Sequence, residues 1–446
     1  MKHILLFGAG KSATSLIKYL IKICVENGWK LTICDQDVEL IKIKTENAEV
    51  ATAVSLNVQI ENDRIKMIQT ADLVISMLPA HLHFLIALDC KNEGKNLLTA
   101  SYIDDKILPF REELINKNLL FLYEMGLDPG IDHMSAMQII NNIHRDGGKI
   151  KSFKSHCGGL VAPESDTNPW HYKISWNPRN VVLAGKDGAS YKQNSKNISI
   201  PYSEIFRNNK TIDIPGLGNL AWYPNRNSES YIDLYQLHET ETFVRTTLRY
   251  PSFCRGWSKL INIGLTSLDD YLQIKECKTY EEWFKTKISR FTNNETSWNN
   301  YLHMYITDPY KAEFDKQMSF LGLQSKDNIE IDFKCSADIL QYLIENKLRL
   351  QPEDKDMIVM VHEIEFEKEG KLYKTTSSLI VKGQDAMETA MSKTVGLPLG
   401  IAAKLILEGK LKEKGLLIPI SQNIYEPVLK ELSTNGIEFE ESTVLL

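Results

Sequence analysis

The stretch 2–13, KHILLFGAGKSA, decides the fold. Residues 2–7 form a short, largely apolar run, the pattern of a strand buried in a parallel sheet. Gly8-Ala9-Gly10-Lys11-Ser12-Ala13 follows, and Leu16, Ile17, Leu20 and Ile23 then recur at helical spacing. This is GxGxxA in a strand–turn–helix setting. Gly8 permits the tight turn and Gly10 lets a pyrophosphate approach the backbone. Ala13 is small enough for the helix to pack on the strand, and the helix N-terminus faces the phosphates. A second strand, 30–34 (KLTIC), ends in Asp35. An acid there accepts hydrogen bonds from ribose hydroxyls and repels a 2′-phosphate, which favours NAD over NADP.

Further strands are expected at 51–56, 71–77 (ADLVISM), 96–100 (NLLTA) and 119–123 (LLFLY), separated by helical stretches. That alternation predicts an α/β fold with a doubly wound parallel sheet. The competing assignment is a Rossmann-like domain that binds no nucleotide, with Asp35 an ordinary strand-end carboxylate. At 446 residues the chain exceeds the size at which one core keeps growing, so two or three domains are expected. Its 52 Lys plus Arg against 58 Asp plus Glu, a net charge of −6, provide no broad positive field, so neither nucleic acid nor membrane is an expected partner. Seven cysteines without a CxxC pair fit neither a disulfide framework nor a zinc site, and no metal is expected. No apolar run reaches the roughly 18 residues that span a bilayer. The N-terminus passes directly into a strand and turn rather than a cleavable signal, so a cytoplasmic enzyme is expected. A homodimer is the default for a symmetric oligomer.

The middle of the chain changes character. Residues 124–133 hold three carboxylates in ten positions, just past a strand's carboxyl end, where open α/β sheets place ligands. Residues 149–250 are strand-like and aromatic, predicting an antiparallel sheet with long loops. Arg226 sits in a Pro/Asn turn, and Arg245 and Arg249 lie four apart with hydroxyls between them. Converging arginine forks suit a substrate with several carboxylates, while solvated charges or structural ion pairs are the alternative. Residues 280–291, 311–323 and 336–350 have helical periodicity, and 357–366 with 372–381 predict a hairpin through 367–370 (EKEG). A helical run over 386–407, interrupted at Gly396-Leu397-Pro398, is expected to bring the C-terminus back onto the first domain.

Several motifs together resemble the saccharopine dehydrogenase (glutamate-forming) and saccharopine reductase family over nearly the whole chain. They are Ala100-Ser101-Tyr102, 124–134 (EMGLDPGIDHM), 157–164 (CGGLVAPE), 172–176 (YKISW), 223–226 (YPNR), 245–250 (RTTLRY), 356–360 (DMIVM) and 391–404 (MSKTVGLPLGIAAK). The resemblance implies a variant Rossmann domain over 1–124 with about 385–446. It also implies an inserted α/β substrate domain over 125–254 and 355–384, and a small helical domain over 255–354. The implied reaction is NAD(P)-dependent oxidation of saccharopine to L-glutamate and 2-aminoadipate 6-semialdehyde, or its reverse, in lysine metabolism. Alternatives are a carboxynorspermidine-type dehydrogenase and a non-catalytic sensor of nucleotide and amino acid.

By the same resemblance, cofactor positions fall on Gly8, Gly10, Lys11, Ser12, Ala13, Asp35, Asn57, Val58, Leu78, Ala100 and Ser101. Substrate positions fall on Ser101, Tyr102, Asp128, Trp176, Arg226, Thr246 and Thr247, to which the arginine-fork reading adds Arg245. Saccharopine carries three carboxylates, a primary ammonium and a secondary amine, so Arg226 and Arg245 suit carboxylates and Asp128 an amine. Tyr102, Asp128 and Cys157 are the ionisable candidates for moving the amine proton, the alternatives being a turn-capping role for Asp128 before Pro129 and a small buried residue for Cys157 beside Gly158-Gly159. Two departures stand out. NADP-using relatives tend to carry a basic residue where this chain has Asp35, although Lys11 can neutralise a 2′-phosphate and leaves NADP open. The family usually has glycine after the first arginine of Arg245-Thr246-Thr247.

Overall fold

The structure, a computed structural model, describes residues 1–207, 209–291 and 309–446. The six expected strands form: β1 (His3–Phe7), β2 (Lys30–Asp35), β3 (Ala51–Ser55), β4 (Leu73–Ser76), β5 (Asn96–Thr99) and β6 (Leu120–Leu122). With β15 (Gly415–Leu417) they make a seven-stranded sheet in the order β15-β6-β5-β4-β1-β2-β3, every neighbouring pair parallel. The chain winds outward one way from β1 to β3 and the other way from β4, so a crevice opens beyond the carboxyl ends of β1 and β4. Gly8 lies there at φ +97°, and a Cβ on it would sit 2.8 Å from the Met77 carbonyl oxygen. Only glycine lets the turn cross β4 this closely. Leu16, Ile17, Leu20 and Ile23 are buried on the helix Thr14–Asn27, and Ala13 is buried at its start.

The second sheet has nine strands: β7 (Lys149–Val161), β8 (Ala189–Gln193), β9 (Lys196–Ile200), β10 (Lys210–Ile214), β11 (Gly218–Pro224), β12 (Thr242–Arg249), β13 (Asp356–Lys368), β14 (Lys371–Lys382) and β16 (Glu440–Leu445). Its main order is β10-β11-β12-β7-β13-β14-β16. The expected purely antiparallel sheet is corrected, because β12 runs parallel to β7. The chain between those two strands contains β8 to β11, long enough for the crossover a parallel pair requires. The β13–β14 hairpin turns through Glu369 and Gly370, both at positive φ (53° and 74°), as a tight two-residue turn demands.

Helices Pro251–Ile263, Tyr280–Ile288, Lys311–Leu321 and Ser336–Lys347 surround a core containing Trp170, Trp257 and Trp283. Within the expected helical region, 292–308 lie outside the described residues.

The C-terminal part corrects three expectations. The helix starts at Ala390 rather than 386, because Thr389 Oγ1 accepts from the Ser392 N–H at 2.9 Å and caps it there. It runs through Pro398 to Leu407 without a break. Packing outweighs the local penalty of about 3 kcal/mol for a mid-helix proline. Gly396 and Gly400 lie so close to the first helix that a Cβ would fall 2.8 Å from Leu16 N and 2.5 Å from Tyr19 Cδ1. By length and mean hydropathy this helix could cross a bilayer, but Lys393 and Lys404 interrupt its apolar run and 78% of it is buried against the protein. Finally, the segment after 385 divides between the sheets: β15 joins the first, whereas β16 pairs antiparallel with β14 in the second.

Candidate functional site

At the end of β2, Asp35 ties the glycine turn to the sheet. Its Oδ2 accepts from the Ala9 N–H at 2.7 Å and its Oδ1 from the Asp37 N–H at 3.1 Å. Lys44, buried beneath the turn, donates to the Gly10 carbonyl at 2.6 Å. Burial pushes its ammonium pKa down to about 8, with Asp35 opposing the fall. A Cβ on Gly10 would meet nothing within 4 Å, so the backbone there faces open space. Lys11 and Ser12 stand at the rim of that space, ahead of the helix N-terminus. Asn57 and Val58 follow β3, Leu78 follows β4, and Ala100 and Ser101 follow β5, all at the carboxyl edge of the sheet. A closed turn, an open glycine backbone and a carboxylate at the end of β2 fit a dinucleotide.

Across the crevice, the segment after β6 leads into the helix Ile131–Arg145 and carries Glu124, Asp128, Asp132 and His133. Arg245, on β12 and 3% exposed, donates from Nη2 to Asp128 Oδ1 at 2.7 Å and to Asp132 Oδ2 at 2.6 Å. Its guanidinium carbon lies 4.4 Å from the centroid of the Tyr231 ring. The Tyr102 hydroxyl donates to Asp128 Oδ1 at 3.3 Å. Behind them His133 is hydrogen-bonded through Nε2 to Glu124 Oε2 at 2.8 Å and through Nδ1 to the Tyr235 hydroxyl. The Tyr231 hydroxyl donates to Glu124 as well, at 2.9 Å.

These contacts sort the ionisable groups. Burial pushes the Asp128 carboxyl up to about 6, Arg245 opposing the rise and Asp132 adding to it. Burial also works against the charge of Asp132, but His133, Arg245 and the Gly130 N–H together hold its carboxyl below the usual range. The Tyr102 hydroxyl and the Cys157 thiol are both pushed up, chiefly by burial and further by the Asp128 charge, so both are neutral at ordinary pH.

Alternation along β12 decides what else enters the site. Thr247 lies in register with Cys157 on β7, whereas Thr246 lies in register with His156 and is hydrogen-bonded to its Nδ1 at 2.6 Å. Thr246, read as a substrate contact, therefore points to the opposite face: successive strand residues alternate sides, so it cannot share the site with Arg245 and Thr247. Arg245, read as a free carboxylate fork, is already occupied by two aspartates. Arg226 differs. It sits at φ 50° in its turn, its guanidinium carbon lies 5.1 Å from the Tyr102 ring centroid, and among the described residues no carboxylate pairs with it. Trp176 is half-buried and donates from Nε1 to the Tyr172 hydroxyl at 3.1 Å.

The structure adds residues outside the set implied by the resemblance. Arg249 is buried, its guanidinium packed on Tyr172 and Phe253 at 5.2 and 5.7 Å. Its Nη1 donates to the Leu248 carbonyl, yet its Nε has no hydrogen-bond partner and no carboxylate pairs with it among the described residues. It shares the Arg245 face of β12, about 13 Å along the strand at the usual rise. The RTTLR spacing already holds that signal. Asp132, His133 and Glu124 also join the site, foreshadowed by the carboxylate density of 124–133.

Residues 4–124 match the saccharopine dehydrogenase NADP binding domain, and residues 126–437 the saccharopine dehydrogenase C-terminal domain. The chain is 30% identical over 455 residues to saccharopine dehydrogenase (NADP(+), L-glutamate-forming) of Pyricularia oryzae, covering 99% of each chain. It is 33% identical over 407 residues to α-aminoadipic semialdehyde synthase of Arabidopsis thaliana, covering 87% of this chain but only 38% of that longer protein. The solved structure of apo saccharopine dehydrogenase (L-Glu forming) from Saccharomyces cerevisiae superposes with a TM-score of 0.88, at 30% identity and over 100% of both chains.

Proposed function

Because this chain belongs to the saccharopine dehydrogenase family, we propose that it oxidises saccharopine with NAD(P) to L-glutamate and 2-aminoadipate 6-semialdehyde, or runs the reverse condensation. The observation that carries the reading is a pair of guanidinium groups without carboxylate partners among the described residues, Arg226 and Arg249, on either side of the Asp128–Arg245 cluster. A buried guanidinium held only by aromatic faces and one carbonyl is suited to a substrate carboxylate.

Residues 1–124 with the returning C-terminal helix hold the cofactor, 125–254 with 355–384 hold the substrate, and the described residues of 255–354 brace the Arg249 side. When bound, the nicotinamide supplies the hydride acceptor. Asp128 takes the proton of the secondary amine and releases it to solvent; after hydride loss it takes one from the water that attacks the imine carbon and returns it to the nitrogen as the C–N bond breaks. Its raised pKa near neutrality suits a group that accepts and returns protons. Tyr102, a neutral phenol, orients Asp128 and donates a hydrogen bond to it. Cys157, a neutral thiol, lines the wall beside Thr247. Arg245 and Asp132 act through Asp128 by fixing its position and charge.

The test is saccharopine-dependent NAD(P)H formation against carboxynorspermidine as substrate; preference for the polyamine, or no turnover at any pH, overturns the proposal. Arg249→Met is expected to raise KM for saccharopine by about two orders of magnitude, since truncating one partner of a buried charge pair costs about 2–5 kcal/mol. An unchanged KM would confine Arg249 to packing.

For the cofactor we propose a preference for NAD, carried by Asp35. Asp35→Asn keeps an acceptor for the Ala9 N–H but removes the charge facing a 2′-phosphate. It is expected to lower the NAD/NADP ratio of kcat/KM by about tenfold, a change of about 1.4 kcal/mol. Asp35→Arg is expected to lower it further while loosening the turn. A ratio unmoved in both variants removes Asp35 from cofactor choice.

A further inference from the structure

The same alternation that puts Arg245, Thr247 and Cys157 on one face of the second sheet puts Lys154, His156, Val244 and Thr246 on the other. On that far face, where β11 and β8 adjoin β12, lies a cavity of about 250 Å³. The function proposed above makes no use of it.

Its charge is one-sided. Lys154 and Lys210 line it, and among the described residues neither has a carboxylate partner. Lys210 instead lies over the Trp222 ring, its Nζ 5.6 Å from the centroid. The acid in the lining, Glu363, is already ion-paired with Lys374 and also lies within ion-pair distance of His156. His156 completes the polar wall. It is 1% exposed, its Nδ1 is held by Thr246, and its Nε2 stands 3.4 Å from Glu363 Oε2 without a hydrogen-bond partner. Glu363 Oε2 is within ion-pair distance of Nε2 but makes no hydrogen bond to it, and an acceptor in the cavity supplies that bond if Nε2 bears the proton. Trp222 and Tyr191 add a flat apolar wall beside the cations.

We propose that this cavity binds a small organic carboxylate, its anionic end at Lys154, Lys210 and His156 and its flat apolar body against Trp222 and Tyr191. The volume holds about eight waters at liquid density, room for a single-ring molecule rather than a nucleotide. A bare inorganic anion would occupy the cationic end and leave the aromatic wall uncovered.

The test uses the full chain with para-fluorobenzoate as the probe, followed by fluorine NMR. Saturable broadening of the probe signal is expected, undisturbed by saccharopine. Lys154→Ala with Lys210→Ala is expected to weaken affinity about tenfold or more while leaving saccharopine oxidation unchanged. Lys210→Ala alone, at an exposed position, gives the same direction of change if the double variant folds poorly. The neutral isostere para-fluorobenzamide is expected not to bind saturably. No saturable binding, displacement by saccharopine, equal binding of the amide, full displacement by equimolar inorganic phosphate, or unweakened binding to the lysine variants would each overturn the proposal. Because the readout is the probe and not turnover, failure here is separable from failure of the dehydrogenase reading.

Discussion

Replacing Arg245 by methionine is expected to cost about 3–5 kcal/mol of folding stability, read as a lowered urea midpoint with an unchanged slope. Arg245 is 3% exposed and is the guanidinium between Asp128 and Asp132, at 2.7 and 2.6 Å. Methionine fills much of the volume but leaves two buried carboxylates without the guanidinium between them and, among the described residues, only His133 near Asp132. It also removes the contact of the guanidinium with the Tyr231 ring at 4.4 Å. The penalty is therefore of the kind that follows from breaking a buried network rather than from opening a cavity. Adding Asp132→Asn to Arg245→Met removes one of the stranded charges and is expected to recover about half of the loss. Arg245→Lys keeps the charge but not the fork, so an intermediate cost is expected. A loss below about 1 kcal/mol for Arg245→Met would mean that water reaches the carboxylates and that the cluster is not the dry centre described above.

What the sequence made legible follows the range of the interactions involved. Residues 2–13 encode the strand, the turn and the helix start within a dozen positions, because Gly8, Gly10 and Ala13 each answer a local steric demand. The Glu369-Gly370 turn was readable for the same reason. Pairings made over long distances were not. Nothing in 149–161 or 242–249 specifies that the two strands run parallel, since that orientation is set by the path of the chain between them. Likewise 440–445 carry no local mark of joining β14 rather than the first sheet. The site divides in the same way. Asp128, Tyr102 and Arg226 were identified by motif and do meet in space. Thr246 came from the family resemblance, where this chain lacks the usual glycine, and strand alternation carries it to the far face. Arg249, two steps of the same alternation from Arg245, is legible from that spacing as a carboxylate fork, although the family resemblance does not name it. Tyr231 and Tyr235 close the network around Glu124 and His133 from a hundred residues away, a relation that no spacing in one sequence reveals.

Saccharopine oxidation is expected to lose kcat/KM as pH falls through about 6, and Asp128→Asn to lower kcat by about 10²–10⁴-fold while abolishing that acid limb. The sign follows from the burial of Asp128. Its carboxyl is raised from 3.8 to about 6, so it stays protonated well above the ordinary range of an aspartate. A protonated Asp128 cannot accept the amine proton, and activity therefore rises with pH up to a plateau above that value. The neighbours then predict how the limb moves. Arg245 opposes the rise and the Tyr102 hydroxyl stabilises the ionised form, so removing either moves the limb to higher pH. Tyr102→Phe is the clean variant, because it deletes one hydrogen bond at 3.3 Å and leaves the ring that stacks against Arg226. Its limb is expected above that of the wild type, by less than the shift in any Arg245→Met protein that folds. Cys157→Ala, by contrast, is expected to leave the limb in place, since burial keeps that thiol neutral throughout. An acid limb that persists near 6 in Asp128→Asn would place the proton acceptor on another group and reduce Asp128 to holding Arg245.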